Sequence, residues 1–175
     1  MAHADGPARR FTVVTLYTRH PSPVGDLLLL AREDDQALAG LYLHGEPQRG
    51  WRQAEEPFGA VHEQLDAYFA GELLAFDLRL APAGTAFQLR VWDELQRIPF
   101  GETISYSGLA DRIGNPRTVR AVGLANGRNP IPIIVPCHRV IGADGSLVGY
   151  GGGLDRKRWL LEHEAVASGR RLPVG

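Results

Sequence analysis

Asn129 to Val140 holds the side chains of this 175-residue chain that are best suited to covalent chemistry. Cys137 is the only cysteine, and His138 and Arg139 follow it directly. A thiolate is a strong nucleophile, and a thiol with its usual pKa near ~8.5 ionises more readily beside a cation. His138 and Arg139 both offer that charge. A second reading also stands on these residues alone, since a lone cysteine is commonly a small, inert, buried hydrophobe. Adjacency does not separate the two, because a nucleophile and its base usually meet in space rather than in sequence. Pro130, Pro132 and Pro136 fix their own φ and bias the residues before them towards extended backbone. They predict a stiff, non-helical rail that ends at the thiol.

The elements that must position this rail are legible from periodicity. In the N-terminal half, 11–18, 26–32 and 37–43 are rich in β-branched and apolar residues and read as strands. Pro21 to Gly25 and the acidic Glu33 to Asp35 supply turns between them, and such short connections predict an antiparallel meander. Residues 46–57 are polar and read as irregular. Val61, Leu65, Tyr68 and Phe69 recur at helical spacing, predicting a helix over 58–70 that stops at Gly71 and covers one face of the sheet. His62 lies off that stripe and reads as solvated. A further strand is predicted over 76–80. The expected organisation is an N-terminal α/β domain over 1–80, a linker at 81–86, and a second domain over 87–175.

Thr85 and Gln88 have capping-box spacing. Phe87, Val91, Leu95 and Ile98 then mark a helix that Pro99 ends. A short helix over 105–113, a break at Gly114-Asn115, and a second helix to about Asn126 form a helix-turn-helix pattern, whose second member often enters a DNA groove. Many such pairs bind no DNA. Asn115 is placed to cap the second helix, with Pro116 in its first turn. That helix region carries Arg117, Arg120 and Arg128, with small residues between them that permit close approach to a backbone. Asp144-Gly145, between apolar pairs, predicts a hairpin resembling a wing. Gly151 to Gly153 leads into a last helix through Glu164. This glycine run lacks the lysine and hydroxyl residue of a phosphate loop and reads as a wall of a substrate pocket.

Net charge is only −1, but it is unevenly spread. Residues 1–86 carry 7 basic and 12 acidic side chains, and residues 87–175 carry 12 and 8, giving −5 and +4. The basic half bears the cysteine and suits a polyanionic partner. One cysteine excludes an internal disulfide and any cysteine-rich zinc site. No stretch is long and apolar enough to cross a membrane, and 1–10 lacks a signal-peptide core, so a cytoplasmic location with no membrane association is expected.

The run Pro136 to Val140, with Asn129-Pro130 before it and Gly149 to Gly153 after it, resembles the alkyl-acceptor site of the 6-O-alkylguanine-DNA alkyltransferases. The resemblance spans Phe87 to Ala167 and extends more weakly to Ser22 to Asp26. It implies a ribonuclease-H-like N-terminal domain and a mainly α winged helix-turn-helix domain. It also implies one irreversible transfer of an alkyl group from 6-O-alkylguanine, and less well from 4-O-alkylthymine, in duplex DNA. The protein would act as a monomer without cofactor or metal; zinc, found in some relatives, lacks its cysteines here. The residue roles follow from the same likeness. Cys137 is the acceptor, His138 its base through a water, and Glu164 the carboxylate orienting that imidazole. Asn129 fixes the turn before the site, and Tyr106 assists base rotation and protonates the leaving guanine. Arg120 enters the duplex, with Arg117, Arg128 and Arg139 as further DNA contacts. Pro132, Val140, Val148, Tyr150 and Gly151 form the substrate pocket. Gly151 departs from relatives with serine there, so only its backbone N–H is left to meet the substrate. A non-reacting relative would lack Cys137, and a cysteine hydrolase would turn over repeatedly.

Overall fold

The structure, a computed structural model, describes residues 14–170. The predicted residues 11–13 of the first strand and the 1–10 segment lie outside the described residues. The first half forms a four-stranded sheet of β1 (Thr15–His20), β2 (Leu27–Arg32), β3 (Leu38–Tyr42) and β4 (Arg52–Gln53), in spatial order β3-β2-β1-β4. β1, β2 and β3 pair antiparallel, whereas β4 runs parallel to β1, so the sheet is mixed rather than a pure meander. The fourth strand was not legible because Arg52 and Gln53 are both exposed and carry no apolar alternation. In β2, Leu27 to Ala31 are all buried, which fits the central position and its continuous apolar run.

The strand expected over 76–80 is absent. Only an isolated bridge joins Leu80 to Leu38, with Leu38 N–H on the Arg79 carbonyl and Ala81 N–H on the Leu38 carbonyl. This segment covers part of the free edge of β3. Leu41 N–H donates to the Pro130 carbonyl at 2.8 Å, so the same edge also grips the segment leading to Cys137. Helix α1 (Gly59–Phe69) packs Val61, Leu65 and Tyr68 into the core.

The second half holds α2 (Ala86–Gln96), the short β5 (Ile104–Ser105), α3 (Tyr106–Arg112), α4 (Val119–Gly127), β6 (Val140–Ile141) and α5 (Leu154–Ala167). The Thr85–Gln88 capping box starts α2, and Ser105 caps α3 through the Gly108 N–H. Asn115 caps a 3₁₀ turn, Pro116–Thr118, that precedes α4, so the second helix of the pair starts later than the sequence suggested. Trp92 in α2 donates from Nε1 to the Ala125 carbonyl at 2.9 Å and ties α2 to α4.

No wing hairpin forms. Asp144–Gly145 does turn the chain, with Gly142 N–H on the Ser146 carbonyl, but β6 pairs in parallel with β5. A lysine holds the two arms instead. Nζ of Lys157, on α5, sits between the carbonyls of Val140 and Val148 at 2.6 and 2.8 Å, tying together the two segments that a wing would pair.

Candidate active site

The proline-rich segment is not an extended rail. It folds back in a tight turn closed by Val135 N–H on the Ile131 carbonyl at 2.9 Å, with Ile133 in the left-handed region at φ 77°. A β-branched residue resists that conformation, so the surroundings must hold it. Asn129 does so from both sides, donating Nδ2 to the Val135 carbonyl at 2.7 Å and accepting the Ile131 N–H on Oδ1 at 3.0 Å. The turn delivers Cys137 at the start of a 3₁₀ turn through Arg139.

Cys137 is 4% exposed. Burial pushes its thiol up to about 11, against the opposing pull of the Asn129 side chain and the Lys157 charge. At neutral pH the group is therefore a thiol, and its proton must leave during any reaction. His138 is fully buried, and Nε2 lies 2.8 Å from Oε1 of Glu164. A carboxylate can only accept, so Nε2 carries the proton and Nδ1 keeps its lone pair. Nδ1 has no hydrogen-bond partner among the described residues. Burial also lowers the His138 pKa against the attraction of Glu164, so the ring rests neutral. A neutral imidazole with a bare nitrogen is a base ready to act. No direct hydrogen bond links it to the Cys137 sulfur among the described residues.

Glu164 is buried yet ionised. Burial alone would raise its pKa, but His138 and Arg139 hold it far below the usual carboxylate range. Arg139 grips both oxygens at 2.9 Å, Gly101 N–H donates to Oε2 at 3.1 Å, and the Tyr68 hydroxyl donates to Oε1 at 2.8 Å. Arg139 is thus not a DNA contact. It is 6% exposed, its third bond goes to the Ile98 carbonyl, and its charge is used up inside the fold. Val140, expected in the pocket, is also displaced, because its side chain joins the core and its carbonyl accepts from Lys157.

A cavity of about 460 Å³ opens onto Cys137. Asn129, Pro132, Tyr150 and Gly151 line it, as do Tyr42, Leu43 and His44 from the N-terminal domain. The buried hydroxyl of Tyr150 has no partner among the described residues. Tyr106 and Val148 line an adjoining open cleft with Gly123, Gly127 and Tyr150. The Tyr106 hydroxyl donates to the Val148 carbonyl at 3.1 Å, and burial and then the nearby Cys137 raise its pKa, keeping it a proton donor. Arg117, Arg120 and Arg128 are exposed on and beside α4, next to this cleft.

Sequence reasoning missed Tyr68 and Lys157. Tyr68 sat on the apolar stripe of α1 and gave no sign of a polar task 96 residues away. Lys157 follows Arg156 in a charged stretch that reads as a solvated face, yet it is fully buried, and burial lowers its pKa to about 8.

An ionised Glu, a neutral imidazole and a buried thiol, set beside a helix-turn-helix pair, are the arrangement of a protein with a cysteine nucleophile, a base and an orienting carboxylate next to a motif common in nucleic-acid binders. Two family models match: the ribonuclease-like domain of 6-O-methylguanine DNA methyltransferase over 14–82, and its DNA binding domain over 86–166. The methylated-DNA–protein-cysteine methyltransferase of Mycolicibacterium paratuberculosis is 55% identical over 152 residues, covering 85% of this chain and 91% of that protein. The protein of the same name from Methanosarcina acetivorans is 51% identical, covering 85% and 97%. A crystal structure of Mycobacterium tuberculosis OGT in complex with DNA superposes with a TM-score of 0.80 at 50% identity, covering 87% of this chain and 94% of that one. The chain belongs to the 6-O-methylguanine DNA methyltransferase family.

Proposed function

We propose that this protein repairs duplex DNA by moving an alkyl group from O6 of guanine to the sulfur of Cys137, once per molecule. The observation that carries this reading is the Cys137 thiol at the floor of a cavity, with a buried, neutral His138 behind it and a helix-turn-helix face in front. A base inside a duplex is out of reach, so the nucleotide must leave the stack. Arg120, exposed on α4, takes the vacated space, and Arg117 and Arg128 hold phosphates.

In the reaction the thiol proton passes through a water to Nδ1 of His138, which Glu164 orients through Nε2. The sulfur attacks the alkyl carbon, the carbon–oxygen bond breaks, and its electrons go to the guanine oxygen. Tyr106 gives a proton to the leaving guanine and recovers one from solvent, to which His138 returns the proton it took from the thiol, so the protons balance. Asn129 keeps the turn that aims the thiol, while Pro132, Tyr150 and Gly151 bound the base and alkyl group. Gly151 offers its backbone N–H. A thioether has no ready route back to a thiolate, so the protein is spent after one event. A monomer in the cytoplasm suits a reactive thiol that must stay reduced.

Intact mass after incubation with methylated duplex DNA tests this. The expected result is one methyl group on the peptide containing Cys137, with product capped at one equivalent. Repeated turnover with unmodified protein would overturn the reading in favour of a hydrolase.

A further inference from the structure

Ser22 to Gly25, a turn far from Cys137 in sequence, has no part in the chemistry above, yet it reaches the site through one arginine. Arg156, in the first turn of α5, donates from Nε to the Val24 carbonyl at 2.6 Å. Its Nη1 lies 2.8 Å from Nε2 of His44 and 2.9 Å from the Gly152 carbonyl. One guanidinium therefore spans two separate pieces of the N-terminal domain and the loop that walls the cavity over Cys137.

Both ends of this brace are shaped for it. Gly25 has φ +107°, and the turn is closed by its N–H on the Ser22 carbonyl and by the Ser22 hydroxyl on the Gly25 carbonyl. The Val24 carbonyl within this turn accepts the Arg156 Nε–H. A Cβ on Gly25 would lie 3.4 Å from Nη2 of Arg156, so the two pack in contact. At the other end, Gly152 is buried against Leu43 and Tyr150, and a Cβ there would collide with Leu43 Cδ1. A side chain at 152 would force Leu43 or Tyr150 to move, so glycine lets the loop lie this close to the N-terminal domain. Gly149, Tyr150 and Gly151, which line the cavity with Cys137, are the residues immediately before this contact.

We infer that Arg156 is a positioning residue for alkyl transfer, holding the Gly149–Gly153 loop against the N-terminal domain so that the cavity keeps its width around the reacting group. The inference rests on the transfer reaction proposed above. It gives the N-terminal domain a part in the chemistry, since Val24 and His44 supply the fixed points. The loop's glycines have little conformational preference of their own, so an external anchor must set their position. Small displacements of a substrate wall reduce rate because the near-attack geometry is lost.

Single-turnover transfer from free 6-O-benzylguanine and from methylated duplex separates this role from a structural one. Arg156→Met is expected to slow the limiting rate about tenfold on both substrates. DNA affinity of the unreacted protein should stay within about twofold, because the hydrogen bonds of Arg156 go to Val24, His44 and Gly152 and not to α4. Amide exchange at residues 149–152 should speed up. His44→Ala should slow transfer several-fold, while His44→Gln, which keeps an acceptor, should restore most of the rate. Arg156→Met and His44→Ala together should be no slower than Arg156→Met alone. A folded Arg156→Met protein that reacts at the parental limiting rate would overturn the inference. If that variant does not fold, unchanged transfer and unchanged exchange in His44→Ala overturn it equally. Failure of the parental protein to take up any alkyl group is a different result, and it removes the transfer reading itself.

Discussion

His138→Gln isolates the base from everything it holds in place. Glutamine can still donate to Oε1 of Glu164, so the buried carboxylate keeps a partner and the variant loses chiefly the bare Nδ1 lone pair. With its pKa at about 11, the thiol is ionised to roughly 3 parts in 10,000 at pH 7.5. If only that pre-formed thiolate reacts, transfer should slow by up to about 3,000-fold, within the usual range for losing a general base. The pH profile should also change form. In the parental protein the neutral imidazole is present throughout, because burial holds its pKa below 6.5, so the rate should be flat from about pH 6.5 upward and fall only in acid. In the variant the log of the rate should climb with unit slope until the thiol itself titrates. Stopped-flow transfer from 6-O-benzylguanine between pH 6 and 10 measures both. A variant within tenfold of the parental rate at pH 7.5 would refute the reasoning, since the thiol would then be losing its proton by another route.

Tyr68→Phe removes one of the donors on Glu164 and should cost about 1.5–3 kcal/mol, as a hydrogen bond to a charged group does, read by denaturant unfolding. Arg120→Ala should slow repair of duplex DNA far more than reaction with free 6-O-benzylguanine, and equal losses would remove Arg120 from base extrusion. His20 and His62 face each other at 2.8 Å through their Nδ1 atoms, and burial, against Asp66 and with His62, lowers the His20 pKa. A lowered histidine pKa means that stability is full above the unfolded value of 6.5 and is lost as pH falls below it. Unfolding free energy should therefore drop as pH falls below 6.5, and His20→Gln should flatten that drop. Alkylation of Cys137 adds volume to a site only 4% exposed, so thermal melts should fall in the order free, methylated, benzylated protein, by about 1–3 kcal/mol of stability at first. Unchanged melting in both adducts would show a pocket already sized for them.

Local pattern carried much of the architecture. The capping box at Thr85 and the α1 stripe of Val61, Leu65 and Tyr68 each appear where spacing placed them, and Asn115 is a cap, though of a 3₁₀ turn ahead of α4, because short-range bonds and helical periodicity are written within a few residues. Errors fell where distant groups decided the outcome. The parallel β4 is two exposed polar residues that pair only because β1 is beside them. Where a wing was expected, β6 pairs with β5 and Lys157 reaches from α5 to two carbonyls, and His62, expected in solvent, is partly buried against His20.

The candidate site divides in the same way. The sequence by itself determined that Cys137 and His138 stand together between Asn129 and the glycine run, since residue type and motif spacing are local properties. Only the tertiary structure decided that Arg139 faces Glu164 instead of DNA, that Tyr68 completes the same carboxylate, and that Arg156 braces the cavity wall. Each of those facts depends on which charge or carbonyl lies within about 3 Å in the fold, and burial makes such partners matter by removing the water that would otherwise satisfy them.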